Sequence, residues 1–328
     1  MKYIFLFILF PFLLFSQNNF YNNLFAHTYS IVAKDENTGK MAVGVQSHWF
    51  SVGTIVSWGK SGVGVVATQS FVNPSFGPKG LELMESGLSA KKTLNELIEN
   101  DQGRDYRQVA MLDVNGSVSA YTGKNCIESA KHYIGKNFSV QANMMLNDNV
   151  VPSMKNAFLN NANLPLAERI IKVFEAAEKA GGDIRGKQSA SLIIVGNNKT
   201  ENEWENKIID LRVDDSKTPI IELKRLLKVY RAYEHMNNGD VAIEENNMEL
   251  ALKEYSKAQV LFPNNTEMRF WKAITLINNG MISKAIPILK KIFSEDPNWK
   301  KLILRLPKSG LITLSNKEIL DLISKIDL

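Results

Sequence analysis

Thr28 is the residue of this sequence that could best act as a nucleophile. It begins the run TYSIVA, and Lys60 follows after two further strand-like runs. A threonine hydroxyl attacks a carbonyl group only after a base has taken its proton, and a free α-amine on the same residue can be that base. A lysine nearby would lower the pKa of this amine and hold the threonine in place. Alternatively, Thr28 only opens a β-strand, for which threonine is well suited.

No pattern in the sequence points to a bound metal, a phosphate loop or a cofactor. The four histidines, His27, His48, His132 and His235, stand far apart, and neither His-Glu-x-x-His nor paired cysteines occur. The run GTIVSWGKS has the wrong spacing between its glycines for a phosphate-binding loop. Cys126 is the single cysteine, so no intrachain disulfide can form, and we expect a small buried hydrophobic residue at this position.

The first 16 residues have the composition of a cleavable signal peptide. Lys2 precedes an apolar run that is interrupted by Pro11 and closed by the small residue Ser16. This run is shorter than the roughly 20 residues that a membrane-spanning helix needs. We therefore expect an exported, periplasmic or extracellular protein with no membrane span after cleavage. Residues 17–27 would then remain as an N-terminal extension ahead of Thr28.

The following part of the chain, residues 28–216, predicts an α+β domain. Its β-branched, glycine-containing runs indicate strands, and Asn-Gly between two alternating runs is a strong hairpin signal. The predicted strands are TYSIVA, MAVGVQS, VGTIVSW, GVGVVATQS, the two arms of QVAMLDVNGSVSAYTG, FSVQANMML, SASLIIV and residues 208–213. Helical spacing falls in residues 80–100, 149–160 and 165–180. This order favours stacked antiparallel sheets with helices packed outside them.

Residues 217–328 predict a helical domain with an internal repeat. Three pairs of positions lie 34 residues apart, which is the tetratricopeptide period, and they are Ala251 and Ala285, Tyr255 and Leu289, and Pro263 and Pro297. Because three repeats are usually needed for stability, we expect the helix near residues 220–233 and the tail after Trp299 to cap the repeats or dock on the first domain.

Charge is unevenly divided between the two predicted domains. Residues 17–216 carry 20 basic and 21 acidic side chains, whereas residues 217–328 carry 18 basic and 13 acidic ones. The basic excess is scattered along helical sequence, which is typical of a solvated face rather than of a nucleic-acid site. We therefore expect no nucleic-acid partner.

Several long blocks resemble one protein family over about residues 27–228. They are HTYSIVAKDENTGKMAVGVQSHWFSVGTIVSWGKSGVGVVATQSFVNPSFGPKGLELMESGLSA, RDYRQVAMLDVNGSVSAYTG, VQANMM, GGDIRGKQSASLIIV and DLRVDD. In these blocks the chain resembles the family called domain of unknown function 1028, which is placed among the N-terminal nucleophile hydrolases. The resemblance implies a four-layer αββα sandwich and an amide-bond hydrolase in which Thr28 attacks a carbonyl.

The same resemblance implies a further processing step in this chain. Many members of the family resemble Met-Thr-Phe-Ser at their start, where removal of methionine exposes the threonine that matches Thr28. Here residues 17–27 precede that threonine. Catalysis would therefore need a second cut, at the bond between His27 and Thr28.

Two polar residues of the matched blocks are further catalytic candidates beside Thr28 and Lys60. Ser47 ends the second predicted strand, so its hydroxyl either faces Thr28, if these strands pair, or is a plain strand-end serine. Asn143 either donates its amide to an oxyanion or caps a turn.

Five more residues are candidates for substrate binding. Asp183, Arg185, Gln188 and Ser189 follow a Gly-Gly loop and enter a strand, which is a common place for site residues on a rigid scaffold. Alternatively, an ion pair between Asp183 and Arg185 only braces the loop. His48 either lines a cleft or packs with the tryptophan that follows it.

Two classes of function remain open at this stage. The first is a hydrolase acting on peptides or cell-wall fragments in the exported compartment. The second is an inactive hydrolase fold that binds a ligand, with the helical repeats docking a protein partner on their concave face.

Overall fold

The computed structural model describes residues 24–327. The predicted signal peptide and most of the predicted extension therefore lie outside the described residues. The chain divides between Ile220 and Ile221 into two compact units, close to the composition change after residue 216.

The first unit contains two antiparallel sheets. The first sheet has the order β1-β5-β6-β7, with β4 also paired to β5; its strands are β1 (Leu24–Ala26), β4 (Ser57–Lys60), β5 (Gly64–Val72), β6 (Arg107–Asp113) and β7 (Val118–Thr122). The second sheet has the order β11-β10-β3-β2-β9-β8; its strands are β2 (Thr28–Lys34), β3 (Met41–Ser47), β8 (Lys131–Gly135), β9 (Phe138–Ala142), β10 (Ser189–Val195) and β11 (Ile209–Val213).

Helices flank both sheets on their outer faces, as the order of elements predicts. Among the described residues, the α-helices of this unit are α1 (Phe76–Glu85), α2 (Ala90–Glu99), α3 (Val150–Asn160) and α4 (Leu166–Lys179). Helices α1 and α2 share an apolar core with the outer face of the first sheet. Helix α4 packs on the second sheet at Gly44, where a Cβ would stand 2.7 Å from side-chain carbons of Ile170 and Phe174. Glycine at this position therefore lets the helix and the sheet approach closely.

The two sheets face each other across an apolar layer. Val32, Met41 and Val43 of the second sheet pack there against Val65 and Leu112 of the first. Their side chains alternate with residues that face the helices, because successive residues of a strand point to opposite faces. The architecture is thus an α+β fold of two stacked antiparallel sheets flanked by helices.

Local signals explain where several elements begin and end. The β6–β7 hairpin turns at Asn115-Gly116, where Gly116 has a φ of +85° that favours glycine. Helix α4 ends before Gly181 and Gly182, both with positive φ, as the Gly-Gly stop signal predicts.

Three features of the unit differ from the sequence-based expectation. The run VGTIVSW does not form one strand, because Val52–Thr54 makes a 3-10 turn whose first N–H bonds the side chain of Ser189, and the strand begins only at Ser57. Strand β8 was not expected, since KHYIG is an edge strand with polar, partly exposed residues. Strand β1 was likewise not expected, and it belongs to the predicted extension.

The second unit is helical, and three of its helices begin at an even spacing along the chain. After α5 (Pro219–Glu244) come α6 (Met248–Leu261), α7 (Thr266–Asn278), α8 (Ile282–Glu295), α9 (Asn298–Ile303) and α10 (Asn316–Asp327). Helices α6, α8 and α10 begin 34 residues apart, and fully buried residues recur at Ala251, Ala285 and Ile319. The tail after Trp299, including α10, packs into the core of this unit. Within residues 24–327, no helix combines the length and apolarity that crossing a membrane requires.

Candidate functional site

Buried polar side chains gather at one end of the space between the sheets, beyond the apolar layer. The cluster, called here the polar cluster, consists of Thr28, Ser47, Gln69, Gln108 and Asn143, each with 0% exposure. They come from four strands and the segment after β9. Because burying a polar group without a partner costs free energy, their hydrogen bonds decide what this cluster can do.

Thr28 lies at the start of β2 and is held on both sides. Its Oγ1 donates to the carbonyl oxygen of Ala26 at 2.7 Å. Its own carbonyl oxygen accepts from the N–H of Asn143 and from Nε2 of Gln69, both at 3.1 Å. The residue is thus fixed in orientation, with its hydroxyl turned toward the segment that precedes it.

The carbonyl oxygen of His27, in the peptide bond that joins it to Thr28, accepts two side-chain hydrogen bonds. Ser47 Oγ donates to it at 2.6 Å, and Arg185 Nη2 donates at 2.8 Å. Ser47 reaches it because β2 and β3 pair with Thr28 directly opposite Ser47. Two donors, one of them charged, therefore polarise the carbonyl group next to Thr28.

Asp183 sets the position of Arg185. Its carboxylate receives Nε of Arg185 at 3.0 Å and Nη2 at 2.7 Å, a two-point ion pair, and also the backbone N–H of Arg185 at 2.9 Å. The backbone N–H of His48 reaches the second carboxylate oxygen at 3.3 Å. The side chain of Asp183 is fully buried, whereas that of Arg185 is 28% exposed. The ion pair anticipated from the sequence exists, and it aims the guanidinium at His27.

Asn143 and Gln108 link His27 to the first sheet. Asn143 Oδ1 lies 2.8 Å from Nδ1 of His27, and its Nδ2 donates to Oε1 of Gln108 at 2.9 Å. Gln69 donates to the same Gln108 oxygen at 2.6 Å, and Gln108 Nε2 donates to the carbonyl of Ala142 at 2.9 Å. Asn143 is therefore part of the site, but its amide is engaged in this network. Gln69 and Gln108 were missed, although a glutamine inside a buried strand was a usable signal.

The ring of His27 is buried against Phe71. The two rings meet edge to face, with centroids 5.7 Å apart. Burial is the main cause that lowers the pKa of His27 below its usual 6.5, and the charge of Arg185 lowers it further, against the opposing effects of Asn143 and Asp183. His27 is thus neutral at neutral pH.

Two strained backbone positions flank the polar cluster. Ser70, which pairs with Ala26, has a φ of 73°, and Met144, which follows Asn143, has a φ of 58°. Residues with a Cβ seldom adopt this left-handed conformation, and such strain concentrates at functional sites.

Lys60 does not reach Thr28, which corrects its expected role. Lys60 lies opposite Gly64, at the far end of the β4–β5 pair. The Thr28 carbonyl is bonded by Gln69, which follows Gly64 by five residues on β5. At the rise of a strand, Gly64 and Gln69 are about 16 Å apart. The ammonium group of Lys60 pairs instead with Glu85 at 2.6 Å. Arg185, which donates to the adjacent His27 carbonyl, is a cation that does lie beside Thr28.

Two of the remaining three candidates brace loops around the site. Ser189 Oγ accepts from the N–H of Val52 and donates to the carbonyl of Trp49, and Gln188 Nε2 donates to Asp215 at 3.1 Å. The Nδ1 atom of His48 is buried and has no hydrogen-bond partner among the described residues. These three side chains make no hydrogen bond to His27 or Thr28 among residues 24–327.

Cys126 lies outside the polar cluster. It is partly buried, and burial raises the pKa of its thiol. It lines a cavity of about 750 Å³ together with His132 and Lys131. Among the described residues, no group of three or more His, Cys, Asp or Glu side chains could hold a metal ion.

Comparisons with known proteins identify the first unit. A search of curated proteins finds no match for this chain. A crystal structure of a Silicibacter pomeroyi protein assigned to the DUF1028 family model is similar with a TM-score of 0.55 and 25% identity, over 62% of this chain and 88% of that one. The ancestral β-subunit Anbu from Yersinia bercovieri aligns with a TM-score of 0.31 and 8% identity, over 60% of this chain and 92% of that one. The model of the Family of unknown function (DUF1028) matches residues 28–223, and this chain belongs to that family.

Proposed function

We propose that this protein is an amide-bond hydrolase of the N-terminal nucleophile type, with the hydroxyl of Thr28 as the nucleophile. The observation that carries the proposal is the double hydrogen bond to the His27 carbonyl oxygen, from Ser47 and Arg185. Donors placed on a carbonyl oxygen stabilise the negative charge that develops there during nucleophilic attack. Thr28 adjoins this carbonyl directly.

The first reaction of the site would be the cut of its own chain. Thr28 Oγ1 attacks the carbonyl carbon of His27, and the resulting oxyanion is held by Ser47 and Arg185. The C–N bond then breaks, the nitrogen keeps the electron pair and takes up the hydroxyl proton, and an ester joins the His27 acyl group to Thr28 Oγ1. Water hydrolyses this ester to a His27 carboxylic acid and a Thr28 that has both its hydroxyl and a free amine.

The freed residue is then equipped for the same chemistry on a substrate. Its amine accepts the proton of its own hydroxyl, as in other nucleophiles of this type. Arginine keeps its charge in proteins, so Arg185 serves as a donor and as a positive charge, and not as a base. That charge lowers the pKa of the new amine, the effect expected at first from Lys60.

The mass of the purified protein tests the proposal. We expect a chain that begins at Thr28, a Thr28→Ser variant that is also cut, and a Thr28→Ala variant that keeps the upstream residues. Hydrolysis of amide substrates should appear only in the two cut proteins. A wild-type chain that stays joined at His27 would refute the mechanism.

One observation favours a second candidate function, that of a ligand-binding protein. Thr28 is fully buried, peptide-bonded to His27, and its hydroxyl is engaged by Ala26. In this state no substrate can reach it. An uncut, folded wild-type protein would therefore favour the binding function, with the helical repeats, which we propose to be tetratricopeptide-like, as a surface for a protein partner. Under either function we propose an exported protein, with no nucleic-acid partner.

A further inference from the structure

We infer that the substrates of this site are linear peptides, bound as an extended strand on the edge of β5 in the position that β1 occupies. The inference rests on the proposed function, since it needs Thr28 to be freed. The inference goes beyond the proposed function by assigning the substrate class and the residues that select the substrate.

The pairing of β5 supplies the first argument. One edge of β5 is covered by β6 over Gly64–Ser70. The other edge is shared end to end by two strands, because β4 pairs with residues 64–67 and β1 pairs antiparallel with residues 70–72. A chain that begins at Thr28 lacks β1. The backbone groups of β5 at Ser70–Val72 are then an open edge, and open edges bind extended peptides by adding a strand.

The second argument is that the edge leads directly to the reactive group. Ala26 pairs with Ser70, and the next carbonyl along the chain is the one that Ser47 and Arg185 hold. A peptide in the place of β1 therefore brings its own carbonyl to the same two donors, beside the Thr28 hydroxyl. Residues 24–27 thus occupy the place of the acyl side of a substrate, and the segment that contains them is the first substrate that the site cuts.

Contacts of these residues define the selectivity. Ala26 is completely buried, so the substrate residue two places before the cut bond must be small. His27 is 3% exposed, and its ring lies edge to face on Phe71 and reaches Asn143 Oδ1. A histidine immediately before the cut bond is therefore favoured over glycine, which makes none of these contacts.

Three residues of strand pairing are near the lower limit for a strand. Within the described residues, the segment before Thr28 pairs with β5 over only these three residues, so after the cut it can leave and be replaced. Its new carboxylate would face Arg185 and Ser47, so a peptide acid ending in Ala-His should compete with substrates.

The experiment uses the self-processed full chain, after its mass has shown Thr28 to be the first residue. The probe is acetyl-Leu-Phe-Ala-His-aminomethylcoumarin, and hydrolysis of its last amide bond releases fluorescent aminomethylcoumarin. Matched probes replace Ala by Trp, replace His by Gly, or change one backbone amide to an ester, first before Phe and then before Ala. Acetyl-Leu-Phe-Ala-His with a free carboxylate is the competitor.

We expect kcat/KM to fall more than tenfold for the Trp probe and to fall for the Gly probe. Successive N–H groups of a strand point to opposite sides, so one of the two esters should lower kcat/KM about fivefold and the other should serve as its control. The peptide acid should inhibit competitively.

The outcomes separate the two proposals. If Thr28 is exposed but none of the probes, nor simple acyl amides, is hydrolysed, the proposed function is refuted. If amides are hydrolysed but the Trp and ester probes react like the parent probe, the function stands and the peptide-strand inference is overturned. A chain that remains joined at His27 has no open edge and refutes both.

Discussion

Replacing Arg185 by methionine tests the central contact of the site. The change removes the 2.8 Å hydrogen bond to the His27 carbonyl and both side-chain contacts to the carboxylate of Asp183. Removing one donor from an oxyanion costs about 2.7–4 kcal/mol in the transition state, or roughly 10²–10³ in rate. We therefore expect Arg185→Met to slow the cut at Thr28 by this factor. Arg185→Lys should also be slow, because one ammonium group cannot replace the guanidinium fork that spans Asp183 and His27.

The assay is cell-free synthesis of the chain from Gln17, followed by intact mass at successive times. Arg212→Met is the matched control, since Arg212 forms a surface ion pair with Asp210. Arg185→Met leaves the buried carboxylate of Asp183 without its ion-pair partner. Because Arg185 is 28% exposed, we expect a stability loss of about 1–3 kcal/mol, which lies between the losses typical of exposed and of buried ion pairs. A cut at wild-type rate in a folded Arg185→Met protein would show that the contact has no role in the reaction.

Three further predictions concern stability. The pKa of His27 is lowered in the fold, so as the pH falls below about 6.5 the unfolded chain binds a proton first, and stability is lost from there down to the folded pKa. In the uncut Thr28→Ala protein, the melting temperature should therefore fall more on acidification than in a Thr28→Ala protein that also carries His27→Gln. Equal falls in the two proteins would contradict this. Ile319→Ala should cost about 2–5 kcal/mol in urea unfolding of the helical unit, because this side chain of α10 is fully buried, and a loss below about 1 kcal/mol would place α10 outside the core. Gly44→Ala should cost about 1–3 kcal/mol in thermal unfolding, since its Cβ would overlap side chains of α4, and an unchanged melting temperature would show that α4 can move away.

The sequence correctly predicted those turns and helix ends whose signals are local. The hairpin at Asn115-Gly116 and the helix stop at Gly181-Gly182 depend on residues within a few positions, and both agree with the structure. Strands β1 and β8 have no such signals. They are edge strands, which owe their structure to pairing with distant partners, and a pattern confined to their own residues cannot reveal it.

Prediction of the site depended on strand register. Ser47 was expected near Thr28 if two strands paired, and they pair with these residues directly opposite. Lys60 was expected there from its place in the sequence, but the tight turn after β4 puts it at the far end of β5. Arg185 comes from a loop more than 150 residues after His27, and the buried carboxylate of Asp183 is what gives that loop a fixed geometry. Such a contact cannot be derived from spacing along the chain.

An arginine in the place expected for a lysine changes the chemistry that the site can perform. A lysine beside a threonine nucleophile could itself exchange a proton with the hydroxyl, whereas a guanidinium only donates hydrogen bonds. Arg185 is fixed on Asp183 and on the His27 carbonyl before any cut occurs. Its charge therefore acts on the carbonyl of the uncut chain, and after the proposed cut it would act on the amine of Thr28. In the proposed mechanism, the proton acceptor for substrate hydrolysis is therefore that amine, which exists only after the bond to His27 is broken. In this proposed mechanism, self-cleavage does more than uncover the Thr28 hydroxyl for substrates, because it also creates the amine that acts on them as the base.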